Sequence, residues 1–393
     1  MDPGDVRPGA LRPVVVRVPV EPVEAAMEAD AADAVRSAGE VAVRGPLFGV
    51  VAQCPEDGLC WRVVVPVTAG FPQMSRDSLN SLLWFRAKDE AKDRVERRAL
   101  LAAVARLETE PVNELTVLGT RYRVVRAEEY AGSGVNGIEP PRPTDPEPLV
   151  PDWSLGPREP LVDADLVLDP DAPLTPAGAT ERLALRNFVY AGSRFPDHVI
   201  QESRRALRTH PDVLLLPTTF AVVERDGRGW EPVSRAHPTA HAARRSLDFF
   251  LTWLEPRTQG LLPVVADRKI DARTEVARNP DAPPELAAYA EASDRLRTGR
   301  CNELEVFDTT YRIIRSRRML RWGADGPEGP RPSDTGDHAP ERIHPVLDED
   351  GVVHHDEDEY AEDEFGEDEY AEDEHAEDEH AEGIGGKDEQ GEG

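Results

Sequence analysis

Displaced by 189 positions, this 393-residue chain falls on itself: residues 106–145 overlie 295–334 without a gap, and 18 of those 40 positions are identical. Average amino-acid usage yields about two or three identities over such a span by chance. A repeat this long is a folded module rather than one of the short units that stack into solenoids. The chain is also long enough for two ordinary domains, each burying its own core.

With short gaps allowed, the two copies share an order of elements. The first opens with a strand expected over Val14–Val20, then a helix from Pro22 stopped by Gly39. The second answers with a strand expected over Leu183–Tyr190 and a helix from Pro196 closed near Pro211. A hairpin follows in each, Phe48–Val51 with Trp61–Val65, and Phe220–Val223 with Trp230 across an Asp226-Gly227 turn. Next comes a helix, capped by Ser75 and carrying Leu79, Leu83 and Trp84 in the first copy, with Leu247, Leu251 and Trp253 in the second. The first copy continues helically to about Glu108. The second meets Pro256 and inserts residues 261–284 before a helix resumes at Glu285. Each copy ends on its best-matched element, a hairpin over Asn113–Arg126 and over Asn302–Arg315.

The expected fold class is therefore α+β: two tandem duplicated modules, each a mostly antiparallel sheet with helices on one face, in the order β-α-β-β-α-β-β. The expected boundaries are 10–148 for the first module, 149–182 for a linker, 183–347 for the second module and 348–393 for an acidic tail. Residues 140–176 hold 11 prolines, which favours extended structure, although Trp153 and the apolar residues of 162–168 predict that part of the linker docks.

Charge is unevenly placed. From Asp348 onward 23 acidic residues face the single Lys387, leaving −8 of the total −30 on residues 1–347. Residues 358–382 are five pentads of the DEYAE and DEHAE type, a period that fits neither helix nor strand, so a disordered, solubilising or masking tail is expected. The opening residues lack the pattern of a signal peptide, and no apolar run is long enough to span a bilayer, so a cytoplasmic protein with no membrane partner is expected. Cys54, Cys60 and Cys301 are too few for a disulfide framework; Cys54 and Cys60 read as packed thiols or as a redox pair across a turn.

The recurring polar residues are Asn113, Glu114, Arg123, Arg126 and Arg142-Pro143-Thr144-Asp145, with their partners 189 positions on. Their arginines could hold an anion bidentately. Alternatively Glu and Arg pair across the hairpin, and the Arg-Pro-Thr/Ser-Asp segments are turns closed by a side chain on the backbone. A motif present in both halves most simply reports one fold twice. The matched Trp61/Trp230 and Trp84/Trp253 read as core before ligand platforms. His237 and His241 stand four apart without a further ligand at metal spacing, so no metal and no cofactor are expected.

The candidate surface for an anion or partner comprises Arg123, Arg126, Arg312, Arg315, Arg317, Arg318 and Arg321, the last followed by Trp322. Cation beside aromatic is how single-stranded nucleic acid is held. The acidic tail would compete for such a strip at low salt.

The Asn-Glu-Leu-x-Val and Tyr-Arg-x-x-Arg strands at 113–126 and 302–315, with the Ala-, Arg- and Pro-rich composition and acidic tail, resemble an uncharacterised actinobacterial family, a domain of unknown function sometimes labelled "PE-PGRS family". The chain lacks the glycine-rich arrays of that label. The resemblance covers about residues 10–335 and implies a cytoplasmic, duplicated protein with no known catalytic residue. The function expected is that of a non-catalytic interaction or scaffold protein with an unidentified protein partner. The alternatives are an enzyme with its site between the modules and an accessory nucleic-acid binder using the arginine strip.

Overall fold

The two best-matched hairpins lie side by side at the centre of one sheet. The computed structural model describes residues 11–154, 161–225, 229–264, 269–336 and 338–354; the pentad repeats and the Asp226-Gly227 turn lie outside them. The first half runs α1 (Pro22–Ser37), β1 (Glu40–Gln53), β2 (Trp61–Ala69), α2 (Pro72–Phe85), α3 (Arg94–Leu107), β3 (Glu114–Val117), β4 (Thr120–Gly134) and β5 (Gly137–Ile138). The connecting segment supplies β6 (Val167–Leu168) and α4 (Pro176–Leu185). The second half runs α5 (Asp197–Thr209), β7 (Asp212–Arg225), β8 (Trp230–Pro232), α6 (Ala240–Phe249), α7 (Glu255–Thr258), α8 (Ala272–Arg278) and α9 (Pro284–Gly299). It ends with β9 (Glu303–Val306), β10 (Thr309–Gly323) and β11 (Gly326–Pro327), and a last hairpin forms β12 (Val346–Leu347) and β13 (Val353–His354).

The sheet is antiparallel and mixed with helices in an α+β arrangement, in the order β6-β2-β1-β4-β10-β7-β8. Strands β4 and β10 hydrogen-bond to each other, with Glu129 opposite Arg318 and Tyr130 opposite Arg317. Backbone bonds therefore join the two halves along this seam. Each of these strands has a neighbour on both sides, which accounts for their nearly unbroken buried runs. Alternate residues still feed separate cores. Val124 packs with Leu79, Leu83 and Leu100 under α2 and α3, whereas Val125 meets Trp61, Leu320 and Trp322 in a cluster built from strands alone. The sheet curls so that this second cluster closes on itself.

Several expectations are corrected here. Val14–Val20 makes only an isolated bridge, Val16 to Leu174, and its valines stay largely exposed; Pro19 lacks the donor a ladder requires. Leu183–Tyr190 is not a strand: Thr175 caps α4 through the Gly178 amide, and Ala179, Arg182 and Leu185 face inward at helical spacing. α2 starts at Pro72 rather than at Ser75, and the run towards Glu108 is broken by a π turn at Arg86–Glu90 before Asp93 caps α3. The second copy has its own π turn at Phe250–Leu254, and Pro256 sits in the first turn of α7, where its missing amide costs nothing. The inserted region contributes α8, with residues 265–268 outside the described set.

The linker docks. Val167 and Leu168 extend the sheet beside β2, and Trp153 meets His241 edge-on at 4.9 Å. Past residue 340 the chain returns to the first half: His344 stacks on Trp84, Leu347 enters the core under α3, and Glu349 accepts from Arg98 at 2.6 and 2.7 Å. The start of the acidic segment, through His354, is thus part of the folded body.

Candidate functional site

The polar residues that recur along the sequence hold the seam together. Arg142 and Arg331 each donate their amide to the Asp three residues on, at 2.7 Å in both cases, which closes the Arg-Pro-Thr/Ser-Asp turns. Arg123 pairs with Glu114, and Arg312 with Glu303, across their own hairpins. Further bonds run between the halves, and each has a counterpart 189 positions away. Arg126 Nε donates to Asp334 at 2.8 Å, and Arg315 Nε to Asp145 at 3.1 Å. Arg123 Nη1 donates to the carbonyls of Asp325 and Pro327, and Arg312 Nη1 to those of Asn136 and Ile138. Trp61 presses against Gly326, and Trp230 lies beside Gly137, where a side chain on the glycine would collide with the indole or with Arg312.

Of the seven arginines proposed as an anion surface, Arg123, Arg126, Arg315, Arg318 and Arg321 are buried. Arg318 is fully enclosed with Asp163 at 2.6 and 2.8 Å, and it also donates to the carbonyls of Val67 and Pro217. Arg321 donates to the carbonyls of Arg186, Phe188 and His210. These residues do not form an open basic strip. Arg317 is partly exposed and paired with Glu181. Arg315 and Arg317 are brought together on a cavity.

That cavity, of about 670 Å³, lies between α1, α4 and the adjoining strands β4 and β10. Its walls are small and apolar: Ala31, Ala34 and Val35 from α1, Ala177 and Ala184 from α4, and Ala131 from β4. Several of its polar groups are tied in pairs. Tyr130 donates its hydroxyl to Glu181 at 2.7 Å, Glu181 also accepts from Arg317, and Arg142 donates to Glu139 at 2.6 Å. Burial, and then Glu181, hold the Tyr130 phenol well above its usual range, so it stays neutral. Arg315 donates to Asp145 and to Thr218, but its Nη1 is buried without a hydrogen bond, 3.9 Å from Glu139. Burial, and then the neighbouring Arg317, lower the pKa of Arg315. α1 buries none of its residues fully; Asp30 holds it to Thr144 at 2.5 Å, and Glu28 to the Ala177 amide at 2.8 Å.

Beside α5, the space next to Arg126 and Glu128 is filled. The chain leaving α4 threads Phe188, Tyr190 and Phe195 into it. The Tyr190 hydroxyl donates to Glu128 at 2.5 Å and accepts from Arg126 at 3.3 Å, and its ring stacks on Phe195 at 4.4 Å. Arg126 and Glu128 stand 189 positions before Arg315 and Arg317. The chain leaving α4 passes directly to α5, whereas the segment leading into α1 bonds Leu174 and Arg186 on either side of α4, and the space under α1 stays open.

The remaining candidates fall elsewhere. His237 is buried with Nε2 unpaired, and burial followed by Arg235 and Arg245 pulls its pKa down to about 4; His241 bonds the Asp152 carbonyl at 2.9 Å. Among the described residues no group of metal ligands forms, and the three cysteines are free. Trp61 is buried, with Arg121 and Arg123 over its ring, and Trp84 is core. Sequence reasoning missed Tyr130, Glu139, Arg142 and Glu181 as cavity residues. The signal that pointed to them is the run of alanines on α1 and α4, which leaves space where packed helices would carry larger side chains.

No helix among the described residues is long and apolar enough to cross a membrane. Comparison with curated proteins and with solved structures found no match. One family does match, described as "Family of unknown function (DUF5954)", over residues 21–337, from the residue before α1 to just past the Asp334 turn. The chain therefore belongs to this uncharacterised family, DUF5954.

Proposed function

We propose that the chain is a non-catalytic binding protein of the cytoplasm, built from two halves that arose by duplication and now meet as two subunits of a dimer would. The paired contacts support the second part: in a twofold interface residue i meets j and j meets i, which is the pattern of Arg126 with Asp334 and Arg315 with Asp145. The binding site is the cavity under α1. The observation that carries this reading is its one-sidedness, since the equivalent volume is closed by Tyr190 and this one is left to a ligand. The pairing of Glu181 with Tyr130 and Arg317, and of Glu139 with Arg142, supports binding over chemistry at these two acids.

Duplication explains how one site could be lost and the other kept. Two identical halves would set like residues against each other at the seam. Here Glu129 faces Arg318, a difference that becomes available once both halves share one chain. The acidic tail is read as a solubilising or masking segment.

The test is a neutral apolar fluorophore, N-phenyl-1-naphthylamine, titrated into the full chain and into Ala184→Phe. The expected result is one site per chain whose emission disappears in the filled variant, with cooperative melting retained. Unchanged emission from Ala184→Phe would refute the cavity as the site.

A further inference from the structure

The closed counterpart shows what shape of body this place accepts. Tyr190 is a planar apolar ring ending in one polar atom, and that atom sits between a carboxylate, Glu128, and a guanidinium, Arg126. At the open site the matching pair is Arg317 and Arg315. A hydroxyl suits an acid and a base because it donates to one and accepts from the other. Two guanidiniums donate only, so the polar end must accept from both, and charge-assisted bonds favour an anion.

The geometry points to a planar, apolar carboxylate as the ligand of the cavity, its ring against Ala34, Val35 and Ala184 and its carboxylate at Arg315 and Arg317. This inference rests on the cavity being a binding site, as proposed above. Arg315 supplies independent support. Its Nη1 is a buried donor without an acceptor, and burial, ahead of the neighbouring Arg317, lowers its pKa. Glu181 and Glu139 stand near, but their charge is already met by Arg317 and Arg142.

Two probes separate the possibilities: 2-naphthylacetate and its neutral amide, 2-naphthylacetamide, titrated calorimetrically into the full chain. The carboxylate is expected to bind about tenfold or more tightly than the amide, the range for losing one charge-assisted bond. Arg315 is part of the seam, so the variant is Arg317→Gln, which should bring the carboxylate down to the amide's affinity and leave the amide unchanged. Equal affinity of the two probes for the unaltered chain overturns the carboxylate inference while leaving the cavity intact. Failure of both probes to bind, with N-phenyl-1-naphthylamine still bound, also overturns it; failure of all three removes the underlying reading as well.

Discussion

Arg318 and Asp163 form an ion pair without solvent contact, joining a strand of the second half to the connecting segment. Taking both charges out of water costs several kcal/mol each, and the pair holds through one bidentate pair of bonds to Asp163 and two backbone carbonyls, which leave only Nε buried without a hydrogen bond. Removing one partner strands the other. Arg318→Ala is expected to lower stability by about 3–5 kcal/mol in urea unfolding, the usual cost of leaving a buried charge alone. Replacing Asp163→Leu in addition should recover part of that loss. His237 gives a pH dependence of definite sign. Its folded pKa of about 4 lies below the unfolded 6.5, so between these values the unfolded chain binds the extra proton. Stability from this residue is present above pH 6.5 and is lost as pH falls towards 4, by about 2–3 kcal/mol. The stability of the unaltered chain minus that of His237→Gln should shrink by this amount across the window when urea unfolding is repeated at each pH.

At the scale of elements, the hairpin of β1 and β2 closes tightly around Gly49. A Cβ there would lie 2.7 Å from the Val65 carbonyl and from the Val67 Cα, contacts that only backbone movement can relieve. Gly49→Ala should therefore lower stability by about 1–3 kcal/mol, read as a fall in Tm, whereas Gly70→Ala, which meets nothing within 4 Å, should leave it nearly unchanged. The hairpins were the legible part of the sequence. Alternation in Tyr122–Arg126 and Tyr311–Arg315, the turns before them and the Arg-Pro-Thr/Ser-Asp closures all depend on neighbours close in the chain. Leu183–Tyr190 misled because its apolar residues also alternate; the Thr175-Pro176 start, eight residues upstream, decides for helix. The exchange of Arg126 and Arg315 for partners in the opposite half was not legible, since their ion pairs span 208 and 170 residues. Of the cavity, Arg315, Arg317 and the Arg142 of a recurring turn could be named from sequence. Glu181 and Tyr130 have no counterpart in the repeat, and what a wall of alanines fails to fill depends on where α4 lies.

As a whole molecule the chain is two related sequences sharing one sheet. The backbone bonds of β4 with β10 and the crossed arginine pairs leave no plane along which the halves part without breaking ladder bonds. Calorimetry should accordingly show one unfolding transition, with calorimetric and van't Hoff enthalpies in agreement; two separated transitions would mean that the halves are independent domains. One difference between the halves lies in the connecting segment, which caps one side with Tyr190 and leaves the other open. Xenon is taken up by apolar cavities, and the alanine-lined wall is the apolar part of this one. A crystal of the full chain held under xenon pressure tests the claim directly: the account predicts density among Ala34, Val35 and Ala184 and none beside Tyr190, while protein atoms filling the first place, or xenon in both, would contradict it.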